Sequence, residues 1–461
     1  MGITRNKLRF LDKELFCVKS SLGTVTLWSL AIPLMFESVM NNLLGTVNTA
    51  VLSGYSENAV AAVGATTTIL NVLLLISSVI AMGATVVVSN AIGAENIKRA
   101  RETSFMAIFA CIGFVLLITP ALLIFAENIL GLLNLEGNIL KEGLIYFKIR
   151  VGFLFITAAQ SVILALLKCY GYPKYTFFVG ILTNIVNLIL NIYVIHLPQL
   201  SPVTGVTGVA AACIISSLSG LLVSIYLFKK TGIKIQMPEK PALMITYTKD
   251  ILKVGLPSAL SGGSVTIAGM VTTSFVAMIG DLALSAKVYY TNILSYAYLF
   301  SVAVGNANAL LVGRRYGAGE YDKIEKMNKQ LVNVTRLVNL LISLFMLVFR
   351  VRLLSLFTDS PQIIALSLGV FLVDIIAEQA RAVSQVYEYA LRGCGDVLFS
   401  VVILIFSCWI FSIGLAYFLA IKCEMGLVGC WIGIAADECV RMIVTYLRFK
   451  SGKWKGSVLN D

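Results

Sequence analysis

Glu37 is a carboxylate in the middle of an apolar stretch that is long enough to span a membrane. It follows Pro33 by one helical turn in the string IPLMFESVMNN. An ionisable side chain at the centre of a bilayer costs roughly 2.5–3.5 kcal/mol or more, so such residues are functional candidates. A carboxylate there would suit a proton carrier or a ligand of sodium, and the proline can kink the helix as a hinge. The alternative is a carboxylate satisfied by helix capping or by hydrogen bonds between helices.

Two apolar segments also carry asparagines. Asn184, Asn187 and Asn191 are spaced i, i+3 and i+7, so they share one helix face. The earlier segment contributes Asn41, Asn42 and Asn48. Neutral amides coordinate a cation or bind a substrate, and they equally hold neighbouring helices together. From the residues alone both interpretations stay open.

Lys287 lies in an apolar segment among tyrosines. Tyr289 and Tyr290 follow it directly, with Asn292 beyond them. Tyrosines that face a cleft attract aromatic or cationic compounds, whereas tyrosines at the level of lipid headgroups form an ordinary interfacial belt. Tyr289, Tyr290 and Asn292 are therefore candidates for substrate contact, and Lys287 is a candidate for a polar site.

Two later segments pair acids with arginine at helical spacing. Glu378 and Arg381 are three residues apart, and an ion pair at that spacing lowers the cost of burying both charges. Asp437 and Glu438 precede Arg441 at similar spacing. We expect the second group to be structural and Glu378 to be functional.

Motifs of enzymatic chemistry are missing from the sequence. It has no phosphate-binding loop of the G-x-x-x-x-G-K-[ST] kind, and no H-E-x-x-H or G-x-S-x-G string. The nine cysteines are scattered without a C-x-x-C pair, and the single histidine, His196, has no ligand cluster around it. We predict no enzymatic activity, no cofactor, no metal centre and no ATPase subunit.

The elements that must position these residues are membrane helices. Of the 461 residues 58% are apolar and only 13% are charged, and the mean hydropathy is +0.89. A soluble chain of this size would need more polar surface. The net charge of +12 would suggest nucleic acid as a partner of a soluble protein. Here the bases lie between apolar runs, so no nucleic acid is expected and lipid surrounds the chain.

Twelve stretches fit the roughly 20 apolar residues that a spanning helix needs. They are residues 24–47, 60–90, 104–126, 144–167, 175–197, 206–228, 251–279, 284–312, 331–356, 363–391, 398–421 and 427–448. The connecting segments alternate between basic and base-poor, and the basic set is cytoplasmic by the positive-inside rule. This predicts an all-α protein of the plasma membrane with both termini in the cytoplasm.

The chain contains an internal repeat. Pro33 and Pro257 are 224 residues apart, and so are Gly93 and Gly317. A constant offset at several landmarks indicates two related halves. We predict a six-helix lobe at residues 1–228, a basic cytoplasmic linker at 229–250 and a second six-helix lobe at 251–461. Six helices return the chain to the same side, so the repeats are parallel, as in secondary transporters.

The ordered strings resemble the multidrug and toxic compound extrusion (MATE) family over nearly the whole chain. They include IPLMFESVMNNLLGTVNTAVLSGYSENAVAAVG, NIVNLILNIYVI, VGNANALLVGRRYGAG, ALRGCGD and GLVGCWIGIAADECVR. The resemblance implies a V-shaped, pseudo-symmetric pair of six-helix bundles that works by alternating access. It also implies a monomer that exports amphipathic or cationic organic compounds against an inward flow of Na⁺ or H⁺.

Three positions depart from the family pattern. Asn48 stands where many members have an aspartate, Asn191 stands at a position that is acidic in some, and Ser261 replaces an acid after the second-half proline. We therefore predict that Glu37 takes over ion coupling, with Asn48, Asn187 and Asn191 as neutral partners and Na⁺ as a possible ligand.

Glu378 with Arg381 is the candidate polar site of the second lobe.

Two rival functions remain. A flippase of lipid-linked sugars in the same superfamily should have a cationic cavity, whereas this core holds as many acids as bases. A membrane-embedded transferase would need a cluster of carboxylates or metal ligands at one membrane face, and the sequence has none. The sequence names neither the substrate nor the coupling ion.

Overall fold

The computed structural model describes residues 14–21, 23–53, 57–131, 137–196, 199, 201 and 203–456, without the side chains of 41–53, 57–61 and 196. Almost all of this chain is helical. The helices of the first half are α1 Leu27–Ser53, α2 Glu57–Gly93, α3 Ile97–Ile124, α4 Ala126–Gly131, α5 Gly137–Gly152, α6 Leu154–Cys169, α7 Pro173–His196 and α8 Gly205–Lys230. Those of the second half are α9 Pro241–Ile279, α10 Asp281–Gly317, α11 Tyr321–Leu354, α12 Pro361–Gly393, α13 Val397–Ser407 and α14 Gly426–Lys450.

Every predicted span overlaps a helix. Nine helices of the described chain are long and apolar enough to cross a membrane, or ten when α5 and α6, which meet at a bend of 50°, count as one span. The spans predicted at α1 and α14 are outside this set. The side chains of the second half of α1 are not described, and α14 carries Asp437, Glu438 and Arg441 in its interior. The protein is thus an all-helical, multi-pass membrane protein.

The chain divides into two compact units. The C-unit contains the described residues of Met1–Met35, Ile92–Glu95 and Pro257–Asp461, and the N-unit contains Phe36–Ala91 and Asn96–Leu256. The chain therefore passes from one unit to the other beside the two prolines that the repeat relates, Pro33 and Pro257.

Each unit has its own apolar core. In the N-unit, Phe147 and Val151 of α5 are fully buried and belong to one cluster with Leu130 of α4 and Ala210 of α8. In the C-unit, the Tyr290 ring meets Phe371 and Trp431 edge to face at 5.9 and 6.2 Å. Such aromatic pairs contribute about 0.5–1.5 kcal/mol beyond the area they bury.

A β-hairpin precedes α1, where the sequence predicted a helix from residue 24. Strand β1 Cys17–Ser20 pairs antiparallel with β2 Gly23–Thr26, whose Val and Thr residues favour strands. The buried guanidinium of Arg315, at the end of α10, holds the hairpin by donating to three backbone carbonyls. These belong to Glu14, Leu15 and Cys17, at distances between 2.8 and 3.1 Å.

The span predicted at 398–421 is not a regular α-helix. After α13 the chain forms two π-helical segments, Cys408–Leu415 and Phe418–Lys422. Gly433 of α14 packs against Ala416 between them, and a Cβ at Gly433 would lie 2.5 Å from the Ala416 Cβ and 2.7 Å from its Cα. Small residues at such contacts let helix backbones approach closely in membranes.

We predict that Gly433→Ala destabilises the protein, because the added methyl group has no space against the Ala416 backbone. Overpacking of this kind costs about 1–3 kcal/mol. The thermal unfolding midpoint of the purified protein in detergent should fall. Gly113→Ala in α3 is the matched control, since no heavy atom lies within 4 Å of its added Cβ. A Gly433→Ala midpoint equal to that of the parent would contradict the packing argument.

Candidate functional site

Glu37 is held by residues from two other helices of the N-unit. Its Oε1 accepts a hydrogen bond from Lys168 Nζ at 3.1 Å, and its Oε2 accepts one from Thr176 Oγ1 at 3.2 Å. Lys168 lies in the last turn of α6 and Thr176 in the first turn of α7. The side chains of Glu37 and Lys168 are 17% and 24% exposed. Three helix segments thus meet at one partly buried ion pair.

Sequence reasoning missed Lys168 as the ion-pair partner of Glu37. The predicted span ends at residue 167 and leaves Lys168 in a connecting segment, but the structure places it in the last turn of α6 beside the one acid of α1. The available signal was electrostatic. Glu37 needed a cation because an unpaired buried charge is strongly destabilising. Any ion that binds Glu37 must therefore compete with the Lys168 ammonium group.

The predicted amide partners of Glu37 lie elsewhere in the N-unit. Asn191 Nδ2 donates to Asn187 Oδ1 at 3.1 Å, and Asn187 Nδ2 in turn approaches Ser216 Oγ of α8 at 3.4 Å. Asn187 follows Thr176 by 11 residues on α7, which is about 16 Å along a helix that rises 1.5 Å per residue. The structure therefore does not bring Asn187 or Asn191 to Glu37.

The side chain of Asn48 lies outside the described residues.

The C-unit contains a larger buried network of charges. Arg381 of α12 forms ion pairs with Glu378 and, at 2.9 Å, with Glu438 of α14. Arg441 also pairs with Glu438, and its Nε lies 3.1 Å from Asp437 Oδ1. Glu438 therefore bridges two arginines. The Glu378–Arg381 pair is formed as the spacing predicted, and the group on α14 joins the same network.

Hydroxyl and amide groups complete this network. Asp437 accepts hydrogen bonds from Ser407 Oγ at 2.6 Å and Ser412 Oγ at 2.8 Å. Ser384 Oγ donates to Glu438 Oε2 at 3.2 Å, and Asn339 Nδ2 donates to Glu378 Oε2 at 3.0 Å. Asp437 and Glu438 are thus well satisfied, as a structural role requires. The common E-x-x-R spacing on two helices was the sequence signal for this arrangement.

The aromatic candidates do not form one site. Tyr290 is fully buried and its hydroxyl donates to the Ile363 carbonyl, so it belongs to the core and offers no surface to a substrate in this structure. Tyr289 stacks on Phe357 with 5.7 Å between ring centroids. Asn292 is exposed.

Lys287 donates to Thr273 Oγ1 at 2.6 Å. The ring of Tyr298, a later residue of α10, lies 5.3 Å from the Arg381 guanidinium. Among the described side chains no group of three or more His, Cys, Asp or Glu could hold a metal ion.

Known proteins resemble this chain over almost its whole length. It is 34% identical to "Uncharacterized transporter YisQ" of Bacillus subtilis (strain 168), over 94% of this chain and 95% of the relative. It is 29% identical to "Probable multidrug resistance protein NorM" of Thermotoga maritima, over 92% of each. Neither likeness identifies a substrate of this chain.

Solved structures share the fold. A structure described as "Outward-facing conformation of a multidrug resistance MATE family transporter of the MOP superfamily" matches with a TM-score of 0.84 at 21% identity, covering 92% of this chain and 94% of that one. A second structure is a MOP superfamily transporter from Pyrococcus furiosus, described as having a "reverse polarity of binding pocket". It matches with a TM-score of 0.83 at 21% identity, covering 94% of this chain and 96% of that one.

The MatE family model matches the chain twice, at residues 33–193 and 257–418. The two matches begin at Pro33 and Pro257, the prolines that the internal repeat relates, and together they cover well over half of the chain. This protein therefore belongs to the MATE family of membrane transporters, which are not enzymes.

Proposed function

We propose that this transporter is a secondary active antiporter that exports amphipathic organic compounds, cationic ones above all, in exchange for an inward flow of cations. The observation that carries the proposal is the Glu37–Lys168 ion pair, a compensated carboxylate inside an apolar helix. Relatives that are named as probable multidrug resistance proteins support the substrate class. The acid-rich network of the C-unit gives no support to a flippase of anionic lipid-linked sugars.

The topology that we propose has twelve spans in two lobes, residues 1–228 and 251–461, with a cytoplasmic linker between them. Both termini lie in the cytoplasm, and the protein acts as a monomer in the plasma membrane. The overlap of every predicted span with a helix and the double family match support this arrangement.

Coupling at Glu37 follows from linkage. An ion drives transport only if it favours one access state over another, because equal affinity for both states shifts nothing. A proton that neutralises Glu37 releases Lys168 and removes the ion pair that joins α1 to α6. Pro33, one turn earlier, is the position at which α1 then bends. We propose that this bend changes the affinity for the exported compound.

The proton suits Glu37 better than sodium. Both carboxylate oxygens already accept hydrogen bonds, from Lys168 and Thr176. Hard metal cations need several oxygen ligands around them, whereas a proton needs only one carboxylate oxygen. The remaining candidates for substrate contact are Tyr289, Asn292 and the polar group of Lys287.

We predict that Glu37→Gln abolishes gradient-driven export, because an amide cannot exchange a proton. Efflux of a fluorescent cationic dye from proteoliposomes would be followed under an imposed pH gradient and, separately, an imposed sodium gradient. The variant should fall to the level of protein-free vesicles. Glu127→Gln, at an exposed carboxylate of α4, is the matched control. Undiminished efflux by Glu37→Gln would refute coupling at this residue.

We also predict that Lys168→Met shifts the pH profile of efflux upward. Lys168 is the one charged group that the described residues place within 4.0 Å of Glu37. Without Lys168 no fixed cation competes with the incoming proton at Glu37, so export should continue at higher pH. The pH of half-maximal dye efflux measures the shift. Lys168→Arg keeps the charge and should keep the profile, and an unchanged profile in Lys168→Met would rule out competition.

A further inference from the structure

The internal repeat relates the three polar residues of the Glu37 site to three residues of the C-unit. The corresponding pairs, each 224 residues apart, are Glu37 and Ser261, Lys168 and Arg392, and Thr176 and Ser400. The second copy therefore keeps the cation and the hydroxyl of the first. It replaces the carboxylate by a shorter, neutral group.

The backbone around the cation is the same in both copies. Lys168 lies in the last turn of α6, and Arg392 lies in the last turn of α12. Gly171 and Gly395, three residues further on, have φ angles of 94° and 84°, which glycine adopts without strain. The next helix, α7 or α13, begins two residues later and carries the hydroxyl in its first turn. The fold thus sets the cation and the hydroxyl in equivalent places in the two units.

Arg392 contacts the residue that replaces the carboxylate. Its guanidinium donates to Ser261 Oγ at 3.4 Å, and Ser261 Oγ donates in turn to the Ser258 carbonyl at 2.6 Å. Ser261 is 2% exposed and Arg392 is 9% exposed. Helix α9 is therefore joined to α12 one turn after Pro257, as α1 is joined to α6 one turn after Pro33.

Two buried atoms of the second copy lack the carboxylate that their counterparts contact. Arg392 Nε and Ser400 Oγ have no hydrogen-bond partner among the described residues. In the N-unit the equivalent cation and hydroxyl both donate to Glu37. A serine side chain is shorter than a glutamate, so the single oxygen of Ser261 cannot serve all of these donors. The second copy is thus a reduced form of the first.

The charge of Arg392 is balanced within its own helix. Glu388, one turn earlier on α12, forms an ion pair with it, and α9 has no acid on the C-unit side of its proline. The other titratable groups that act on Arg392 are Tyr389, whose ring lies 5.0 Å away, and Tyr298 of α10. The link between α9 and α12 therefore contains no carboxylate of α9 that a cation could neutralise.

We propose that Arg392 and Ser261 are positioning residues for transport, which hold the C-unit part of α9 against α12 throughout the cycle. The Glu37–Lys168 pair opens when its carboxylate is neutralised, whereas the Arg392–Ser261 hydrogen bond is not broken in this way. The two proline helices then differ in function, because α1 is released beyond its proline and α9 is not. This inference rests on the coupling role proposed for Glu37.

Efflux of a fluorescent cationic dye from proteoliposomes, measured at saturating dye over a range of pH, tests this role. Ser261→Ala removes the acceptor of Arg392 and leaves the Glu388 ion pair in place. We expect the maximal efflux rate to fall roughly fivefold, as for the net loss of one hydrogen bond. The pH of half-maximal efflux should stay the same, because the Glu37–Lys168 pair is unchanged.

Ser274→Ala is the matched control for this substitution. Ser274 is an exposed serine of the same helix, and its hydroxyl donates to the Met270 carbonyl of α9 itself. The control should export dye like the parent. A parental rate in Ser261→Ala would overturn the positioning role. A shifted pH of half-maximal efflux in Ser261→Ala would also overturn the proposal, because the link would then take part in the cation-dependent step.

Ser261→Glu supplies the carboxylate that the second copy lacks. The introduced group can accept from Arg392 Nε and Ser400 Oγ, and it shares the guanidinium with Glu388, which favours proton uptake by one of the two acids. A second link that a proton can open should make the pH dependence of efflux steeper. The Hill coefficient should rise from about one towards two, since it can reach the number of sites. Ser261→Gln, which cannot titrate, should keep the parental slope. A parental slope in folded Ser261→Glu would overturn the correspondence between the two sites.

Hydrogen exchange of the purified full-length protein separates a failure of this inference from a failure of the antiport proposal. Backbone amides of α9 after Pro257 should exchange faster in Ser261→Ala than in the parent, because this turn is no longer tied to α12. Equal exchange in the two proteins would overturn the link, whether or not dye is exported. Faster exchange together with a parent that exports no dye under any gradient would refute the antiport alone.

Discussion

A charged side chain inside a bilayer must be compensated by an opposite charge or by hydrogen bonds, since water is not there to solvate it. Both units of this chain contain acids that meet the requirement in different ways. Glu37 has one cation and one hydroxyl, from two neighbouring helices. Glu438 has two arginines and a serine. The number of partners decides how readily each carboxylate can leave its ion pairs.

The two arrangements suit different tasks. The Glu37–Lys168 pair can be broken by one proton, and each of its side chains retains some exposure. The arginines of the C-unit network each contact two acids, so loss of one contact leaves others in place. Breaking a buried pair by removing a partner costs about 3–5 kcal/mol. A labile pair suits a switch, and a multiply bonded network suits a scaffold that keeps α12 and α14 together. One oxygen of Asp374, Oδ2, has no hydrogen-bond partner among the described residues.

The sequence predicted what depends on local pattern. Apolar length located the helices, and a constant offset located the repeat that the double family match supports. Helical spacing predicted the Glu378–Arg381 pair. The sequence did not predict contacts between helices that are far apart in the chain. Lys168 looked like a loop residue because periodicity does not tell which helix end faces Glu37. Tyr290 looked like a cleft residue, but burial depends on the packing of Phe371 and Trp431 around it.

Glu37, the proposed coupling residue, lies beside the place at which the chain passes from one unit to the other. Pro33 lies on the C-unit side of the crossover between Met35 and Phe36, and Glu37 lies just beyond it on the N-unit side. A proline inside a helix removes one backbone hydrogen bond and weakens the helix at that point. The ion pair of Glu37 then fixes α1 to α6 one turn after the weak point. In the proposed coupling step, loss of the pair frees α1 next to the turn that Pro33 weakens. The repeat sets Pro257 at the corresponding crossover on α9, but Ser261 follows it in place of an acid. The same proline geometry therefore occurs twice, whereas only the first copy carries a carboxylate that a cation can neutralise.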